Sequence, residues 1–360
     1  MIAGGGTGGH AIPALCVADE LSGRGVSVEF LGSSSGIEAT LVPEAGYRLH
    51  SLPLQGLSGG AVGAARAGVL FARAFFEFRR LIKQFRPGAL LGVGGYASAP
   101  AVVAARTLGV PTFLHEQNSV PGKVNRFAAR FTREILVTFP AAADHFPEAR
   151  QVGMPTRREF FSVDREAALE SLGLEPPVVL VYGGSGGALK LNEATVAAFG
   201  ERETPFSVVQ IAGRRDYPQM KTENPRHRIV EYEPRIWTAL AAAEVVVSRA
   251  GAGSLFDLAA VGRAAVLVPF PHAAGDHQMK NARHFTGEGA AELLPDEEVT
   301  ATSLGERVES LLADGPRRAE LESRIRGLAT ERAAAEIADR LLQAAGASAA
   351  SATSDVGDSK

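Results

Sequence analysis

Val178-Val179-Leu180-Val181-Tyr182-Gly183-Gly184-Ser185-Gly186-Gly187 is the stretch on which the fold turns. Five apolar, β-prone residues run without alternation into four glycines and a serine, and a helical pattern follows. That is the pattern of a buried parallel strand whose tight exit opens a helix. Such a turn presents free backbone N–H groups and the positive end of the helix dipole, and glycine lets an anion come close to the chain. Ser185 adds a hydroxyl donor, so the turn is a candidate phosphate site. Taken alone, it could equally be a ligand-free strand–helix connection.

The same design occurs 179 residues earlier, where Gly4-Gly5-Gly6-Thr7-Gly8-Gly9-His10 follows a short apolar start and precedes a helical pattern. Two such runs at matched places favour ligand binding. Neither is GxxxxGK[ST], which excludes a Walker P-loop. Gly4-x-Gly6-x-x-Gly9 fits the dinucleotide fingerprint, but the acidic residue expected about 20 positions on would be Glu29, inside a strand pattern rather than at its end.

Outward from these turns, β-rich apolar runs alternate with helical patterns: Val26–Leu31, Ala89–Val93, Ile135–Thr138, Val178–Tyr182, Val245–Val247 and Ala265–Val268 are the strand candidates. This predicts an α/β fold of two Rossmann-like parallel-sheet domains facing across a cleft, with ligands at the carboxyl ends of the strands. Gly153-Met154-Pro155 marks the boundary between a domain of residues 1–154 and one of residues 155–342, whose final helix can pack back on the first. Residues 346–360 are Ser/Ala/Asp/Gly-rich and read as a disordered tail.

The 360 residues suit about two domains, and 46% hydrophobic with 21% charged residues is an ordinary globular composition. One cysteine, Cys16, excludes an internal disulfide and a cysteine metal pair. The expectation is no signal peptide and no membrane span, since nothing approaches roughly 18 uncharged apolar residues in a row. Residues 1–156 carry 14 Lys/Arg against 10 Asp/Glu and residues 157–360 carry 23 against 30, so the first half is the basic one. Nothing in the pattern calls for nucleic acid.

Gly4–His10, Gly94-Gly95-Tyr96-Ala97-Ser98-Ala99-Pro100, His115-Glu116-Gln117-Asn118, Gly183–Gly187, Ser248-Arg249-Ala250-Gly251-Ala252 and Asp276-His277-Gln278-x-x-Asn281-Ala282 occur in that order. Together, over about residues 2–340, they closely resemble the MurG family of peptidoglycan N-acetylglucosaminyltransferases. The resemblance implies a GT-B fold and an inverting transferase. Its donor is UDP-N-acetylglucosamine and its acceptor is the 4-hydroxyl of the muramyl sugar of lipid I, the undecaprenyl-pyrophosphoryl-muramyl-pentapeptide. The product is lipid II for cell-wall synthesis, made by a peripheral protein at the cytoplasmic face of the plasma membrane.

Carried over by position, the resemblance makes Ser185, Gly186 and their loop the diphosphate cradle, with Arg157 as a cation. Tyr232-Glu233 is the segment reading uracil, and Ala252, Gly253, Ser254 and Asp257 the helix start at ribose and phosphates. His277 and Gln278 hydrogen-bond the sugar, while Thr7, Gly8, Gly9 and Asn118 line the acceptor side. Three departures stand out. The family usually has glutamate at Asp257 and often glutamine at Gly186, and several more residues precede its first glycine run.

Inverting transfer needs a base at the attacking hydroxyl, positive potential at the departing diphosphate, and fixed positioning. A helix end and Arg157 serve the diphosphate, so neither metal nor other cofactor is expected, and there is no DxD-like pair in these motifs. His10 is the candidate base, at a helix start that favours neutral imidazole; the alternative is a hydrogen bond to an acceptor phosphate. Glu116 is the second candidate base, or else a buried acceptor. His115 and His277 lack a third ligand at metal spacing.

Residues Ala64–Phe85 read as a helix with Phe71, Phe75, Phe78, Ile82 and Phe85 on a core stripe. Phe76 lies roughly 140° around from Phe71, near Val69, at about 100° per residue. Arg66, Arg73, Arg79, Arg80 and Lys83 surround that pair, the pattern of an anchor on an anionic membrane surface. The competing readings are a GT-B transferase with another lipid or small-molecule acceptor, a UDP-sugar epimerase, a Rossmann oxidoreductase, and a non-catalytic sugar-nucleotide binder. Motifs on both halves favour transfer.

Overall fold

The structure is a computed structural model that describes residues 1–54, 60–184 and 186–354, with side chains described outside 60–65 and 347–354. The chain divides into two compact units, Met1–Thr156 with Arg332–Lys360, and Arg157–Glu331.

The first unit is built on a parallel sheet of seven strands: β1 (Ile2–Ala3), β2 (Glu29–Ser33), β3 (Arg48–Leu52), β4 (Leu90–Gly92), β5 (Thr112–Glu116), β6 (Glu134–Val137) and β7 (Arg150–Gln151). Their order is β3-β2-β1-β4-β5-β6-β7. The order reverses between β1 and β4, and there the exits of adjacent strands diverge and leave a crevice for a ligand. On one face Ile2, Phe30, Leu91, Phe113 and Leu136 pack with Ile337, Ala338 and Leu341 of the last helix, Ala333–Ser354. On the other, Leu90 and Leu114 pack with Ala74, Phe78 and Ile82 of helix Gly60–Phe85 and with Ala101, Val102 and Ala105 of helix Ser98–Thr107.

The second unit repeats the plan with β8 (Val178–Tyr182), β9 (Ser207–Ile211), β10 (His227–Val230), β11 (Val245–Ser248), β12 (Ala264–Leu267) and β13 (Glu292–Leu293). All are parallel, in the order β10-β9-β8-β11-β12-β13, so this sheet reverses between β8 and β11. Every residue of β8 is buried, as its unalternating apolar run requires of a strand covered on both faces.

Two expectations shift. The strand predicted over Val26–Leu31 runs instead from Glu29 to Ser33, because the Val26 N–H still bonds the Leu21 carbonyl at the preceding helix end. The last helix continues through Ser354, past the start of the tail predicted at Gly346. Its later residues are mostly alanine and serine; alanine is the strongest helix former, and one glycine costs only about 1 kcal/mol. Residues 355–360 lie outside those described. Among the described residues no helix is long and apolar enough to cross a membrane.

Candidate active site

At the β1 exit the first glycine run is tied into the fold. The Gly4 N–H bonds the Leu31 carbonyl at 3.0 Å and the Gly5 N–H bonds the Gly94 carbonyl, in the β4 exit, at 3.1 Å. Glu38, buried, turns its carboxylate toward the run: Oε2 accepts the Gly6 N–H at 2.6 Å and Oε1 the Ser33 N–H at 2.9 Å. Gly5, at φ +143°, has no room for a side chain, because a β-carbon there would stand 2.1 Å from the Glu38 carboxyl carbon. The amides of Gly4–Gly6 are thus committed internally. What remains for a ligand is the start of helix Gly8–Gly23, with Thr7 as its N-cap.

Thr7 does not cap this helix with its hydroxyl, which lies 3.1 Å from His10 Nδ1 instead. The other edge of the ring packs on Gly94, where a β-carbon would come within 2.9 Å of Nε2. When Nδ1 carries the hydrogen toward the Thr7 hydroxyl, Nε2 is the basic nitrogen of the ring.

The β5 exit brings the His115–Asn118 motif to the same end of this sheet. His115 is buried, its Nε2 3.0 Å from the Gly153 carbonyl and its Nδ1 3.2 Å from Gln117 Nε2. Burial pushes the imidazole down to about 4, against the pull of the Gly153 carbonyl, so the neutral ring is held. Glu116 is buried too. Its Oε1 accepts the Asn118 N–H at 3.0 Å, and Oε2 accepts the Gly122 N–H at 3.2 Å and Asn125 Nδ2 at 2.8 Å. Burial raises its pKa while these bonds lower it. With both oxygens engaged by the loop it shapes, Glu116 is an organiser of residues 117–125, which disfavours it as the base.

In the second unit the β8 exit is followed by helix Leu189–Phe199. Ser185 lies outside the described residues, and Gly186 is exposed in the turn. A pocket of about 370 Å³ opens here, lined by Gly183, Gly187, Lys190, Arg215, Arg249, Phe270, His272, Gln278 and Asp296 among others. Arg249, largely buried, bonds the Val268 and Pro269 carbonyls and reaches Asp296 Oδ1 at 2.5 Å, its guanidinium 5.6 Å from the Phe270 ring centre. Lys190 bonds the Asp296 backbone carbonyl and lies 3.8 Å from its carboxylate. Gln278 Oε1 accepts the Ala250 and Phe270 N–H groups, which orients the side-chain amide nitrogen away from them. His277, beside it at the start of helix His277–Gly287, sets Nδ1 2.9 Å from the Ala274 carbonyl.

Ala252, Gly253 and Ser254 form the first turn of helix Ala252–Val261 after β11. Asp257, one turn on and half-buried, has its carboxyl pushed up to about 7, chiefly by desolvation and partly offset by Arg157. Arg157 lies against a pair of mutually packed rings, 5.1 Å from the Phe160 ring centre and 4.9 Å from that of Trp237. It does not line the pocket at Gly183–Gly187; its charge is felt at Asp257 instead. Glu233, after β10, accepts the Arg235 N–H at 2.9 Å, beside an exposed Tyr232.

Glu38, Lys190 and Asp216 carry no motif that sequence reasoning could use, because Gly6, Asp296 and Asn192, which they bond, are distant in the chain; Arg215 pairs with its neighbour Asp216, but only the fold brings it to the β8 exit. Arg249 stood within a quoted motif without a role; its buried ion pair with Asp296 supplies one. Glu29 pairs with His50 at 2.6 Å, which removes the acidic residue a dinucleotide would need.

Two family models match the chain: the Glycosyltransferase family 28 N-terminal domain over residues 1–137 and the Glycosyltransferase family 28 C-terminal domain over residues 178–341. The UDP-N-acetylglucosamine–N-acetylmuramyl-(pentapeptide) pyrophosphoryl-undecaprenol N-acetylglucosamine transferase of Rubrobacter xylanophilus is 62% identical over 331 residues, covering 91% of this chain and 98% of the relative. That of Acidithiobacillus ferrooxidans is 39% identical over 354 residues, 96% and 98% of the two chains. Among solved structures, MurG of Acinetobacter baumannii superposes with a TM-score of 0.77 at 29% identity, over 95% of this chain and 99% of that one. A calicheamicin glycosyltransferase, at 18% identity and a TM-score of 0.68 over 96% and 98%, shares the fold.

Proposed function

Because the chain belongs to glycosyltransferase family 28, among the UDP-N-acetylglucosamine–N-acetylmuramyl-(pentapeptide) pyrophosphoryl-undecaprenol N-acetylglucosamine transferases, we propose that it moves N-acetylglucosamine from UDP-N-acetylglucosamine to the muramyl sugar of lipid I, giving lipid II. The observation that carries this reading in the structure is the cationic pocket at the β8 exit, where Lys190, Arg215 and Arg249 surround a glycine turn and a helix start. That is the potential a departing nucleoside diphosphate needs.

In the reaction, the acceptor's 4-hydroxyl oxygen attacks the anomeric carbon, the bond from that carbon to the diphosphate oxygen breaks, and UDP leaves with the electron pair. His10 takes the hydroxyl proton on Nε2, with Thr7 holding the hydrogen on Nδ1; the 3.1 Å approach supports this pairing. Thr7, Gly8, Gly9 and Asn118 belong to the acceptor side. On the donor side, Gly186 and the first turn of helix Ala252–Val261 serve the phosphates. Gln278 and His277 hydrogen-bond the sugar, the Glu233 segment takes uracil, and Asp257 meets the ribose. Arg157, packed against the Phe160 and Trp237 rings, acts on the donor through Asp257 rather than by direct contact with the diphosphate. The domain limits of the sequence reading, 1–154 and 155–342, assign these roles to separate units.

The acceptor's lipid implies peripheral attachment at the cytoplasmic membrane face. Val69 and Phe76, each 69% exposed on helix Gly60–Phe85, support an anionic bilayer as the partner, with Arg66, Arg73 and Lys83 exposed beside them. Arg80 shares its charge with Glu77 and Arg79 bonds Thr107, so these two contribute less.

The test is transfer of labelled N-acetylglucosamine from its UDP conjugate to a short-chain lipid I analogue. Lipid II analogue is the expected product. Donor binding without product would overturn the reading.

A further inference from the structure

We infer that Arg215 is an additional donor-binding residue of this chain, gripping the diphosphate at the β8 exit while the buried carboxylate of Asp216 holds it in place. This rests on the donor reading above.

Lys190 and Arg249 share one counter-charge, Asp296. Arg215 belongs to a different arrangement. Its Nε donates to Asp216 Oδ1 at 2.7 Å and its Nη2 to Oδ2 at 3.3 Å, while 68% of the side chain stays exposed at the pocket. Among the described residues, Nη1 has no hydrogen-bond partner. One edge of the planar fork is therefore fastened and the other is presented outward, the geometry that suits an oxyanion.

Asp216 is the opposite of a surface carboxylate, at 1% exposure. Its Oδ2 also accepts Asn192 Nδ2 at 3.1 Å. Asn192 in turn receives Gln210 Nε2 on its own Oδ1 at 3.1 Å, and Gln210 Oε1 stands 2.9 Å from His227 Nε2. This buried chain fixes Asp216 against the glycine turn: a β-carbon on Gly187 would stand 2.5 Å from Oδ2, and one on Gly213 would stand 2.4 Å from the Gly187 nitrogen. The loops leaving β8 and β9 are thus in contact, with a carboxylate at the seam.

A buried negative charge directly behind a diphosphate-binding turn would repel the ligand unless a cation stands with it. Arg215 is that cation. The buried carboxylate fastens one edge of the guanidinium and the exposed edge faces the pocket, so Asp216 is a positioning residue and Arg215 touches the ligand.

The experiment compares the affinities of UDP and uridine, by calorimetry, for the wild-type protein and the variants Arg215→Ala, Arg215→Lys and Asp216→Asn, together with KM and kcat for UDP-N-acetylglucosamine. Loss of one charge-assisted hydrogen bond corresponds to about tenfold or more. Arg215→Ala is expected to weaken UDP by that factor and raise KM alike, with uridine unchanged. Arg215→Lys recovers part of the loss, and Asp216→Asn weakens UDP less than Arg215→Ala does. Equal losses for UDP and uridine, or unchanged UDP affinity in Arg215→Ala, would overturn the inference. If the wild-type protein binds UDP yet transfers nothing, the transfer reading falls and the role of Arg215 is still read from UDP affinity. A wild-type protein that does not bind UDP overturns both.

Discussion

Glu38 Oε2 accepts the N–H of Gly6 at 2.6 Å, so a side chain of the protein itself occupies the anion-binding corner of the first glycine run. Replacing it with alanine orphans two amides, Gly6 and Ser33, at about 1–3 kcal/mol each. Glu38→Ala should therefore lower the denaturant midpoint with an unchanged slope, and Glu38→Gln, which keeps an acceptor, should lower it less. A Glu38→Ala midpoint equal to the wild type would show that the carboxylate is dispensable to the turn.

His10→Gln should reduce kcat by about 10²–10⁴, the usual worth of a general base. KM for the donor should hold within about threefold, since the donor residues belong to the other unit. Thr7→Val removes the hydroxyl 3.1 Å from Nδ1 and should give a smaller kcat loss of the same kind. A His10→Gln enzyme that keeps kcat but loses acceptor affinity would assign His10 to acceptor binding.

Asp257 has its carboxyl pushed from 3.8 up to about 7, mainly by desolvation. A raised native value means that the folded protein holds the proton longer than the unfolded chain. The stabilisation is therefore full below about pH 4 and is lost as pH rises through 7. Asp257→Asn mimics the neutral form, so its Tm should gain on the wild type between pH 5 and pH 8. A Tm difference independent of pH would contradict the shift.

His115 and His227, one in each unit, are both depressed from 6.5 to about 4 by burial. Here the folded state holds the neutral ring, so stability is present above pH 6.5 and lost as pH falls toward 4. The loss is on the order of 3 kcal/mol per fully buried ring. His227→Gln should flatten the acid limb of the stability profile of Arg157–Glu331. An unaltered acid limb would place the proton uptake elsewhere.

Phe76→Ser combined with Arg73→Glu, Arg80→Glu and Lys83→Glu should reduce cosedimentation with vesicles rich in anionic phospholipid, and added salt should weaken the wild-type interaction in the same direction. Turnover of a soluble acceptor analogue should be preserved. Undiminished cosedimentation would remove this helix face from the membrane contact.

Much of the architecture was legible because local rules and global packing agree in it. The unalternating run Val178–Tyr182 could only be a strand covered on both faces, and the glycines after it could only be a turn into a helix. The His115–Asn118 motif was legible as a place, but the role of Glu116 was not. Whether a carboxylate takes a proton or accepts three loop hydrogen bonds depends on Gly122 and Asn125, which reach it only through the fold of the loop. Arg157 likewise reads from the chain as a cation, and its packing against the Phe160 and Trp237 rings is set only by the fold.

By itself, then, the amino-acid sequence determined the alternation of strands and helices, the two glycine turns and their order among the other motifs. These follow from periodicity and backbone freedom, which act between near neighbours. Only the tertiary structure decided which amides of those turns still face a ligand. Glu38 accepts the Gly6 amide from 32 residues away, and Asp216 sets Arg215 at the second turn from the neighbouring strand's exit. Charge and hydrogen bonding depend on distance in space, and sheet order, not chain order, sets that distance.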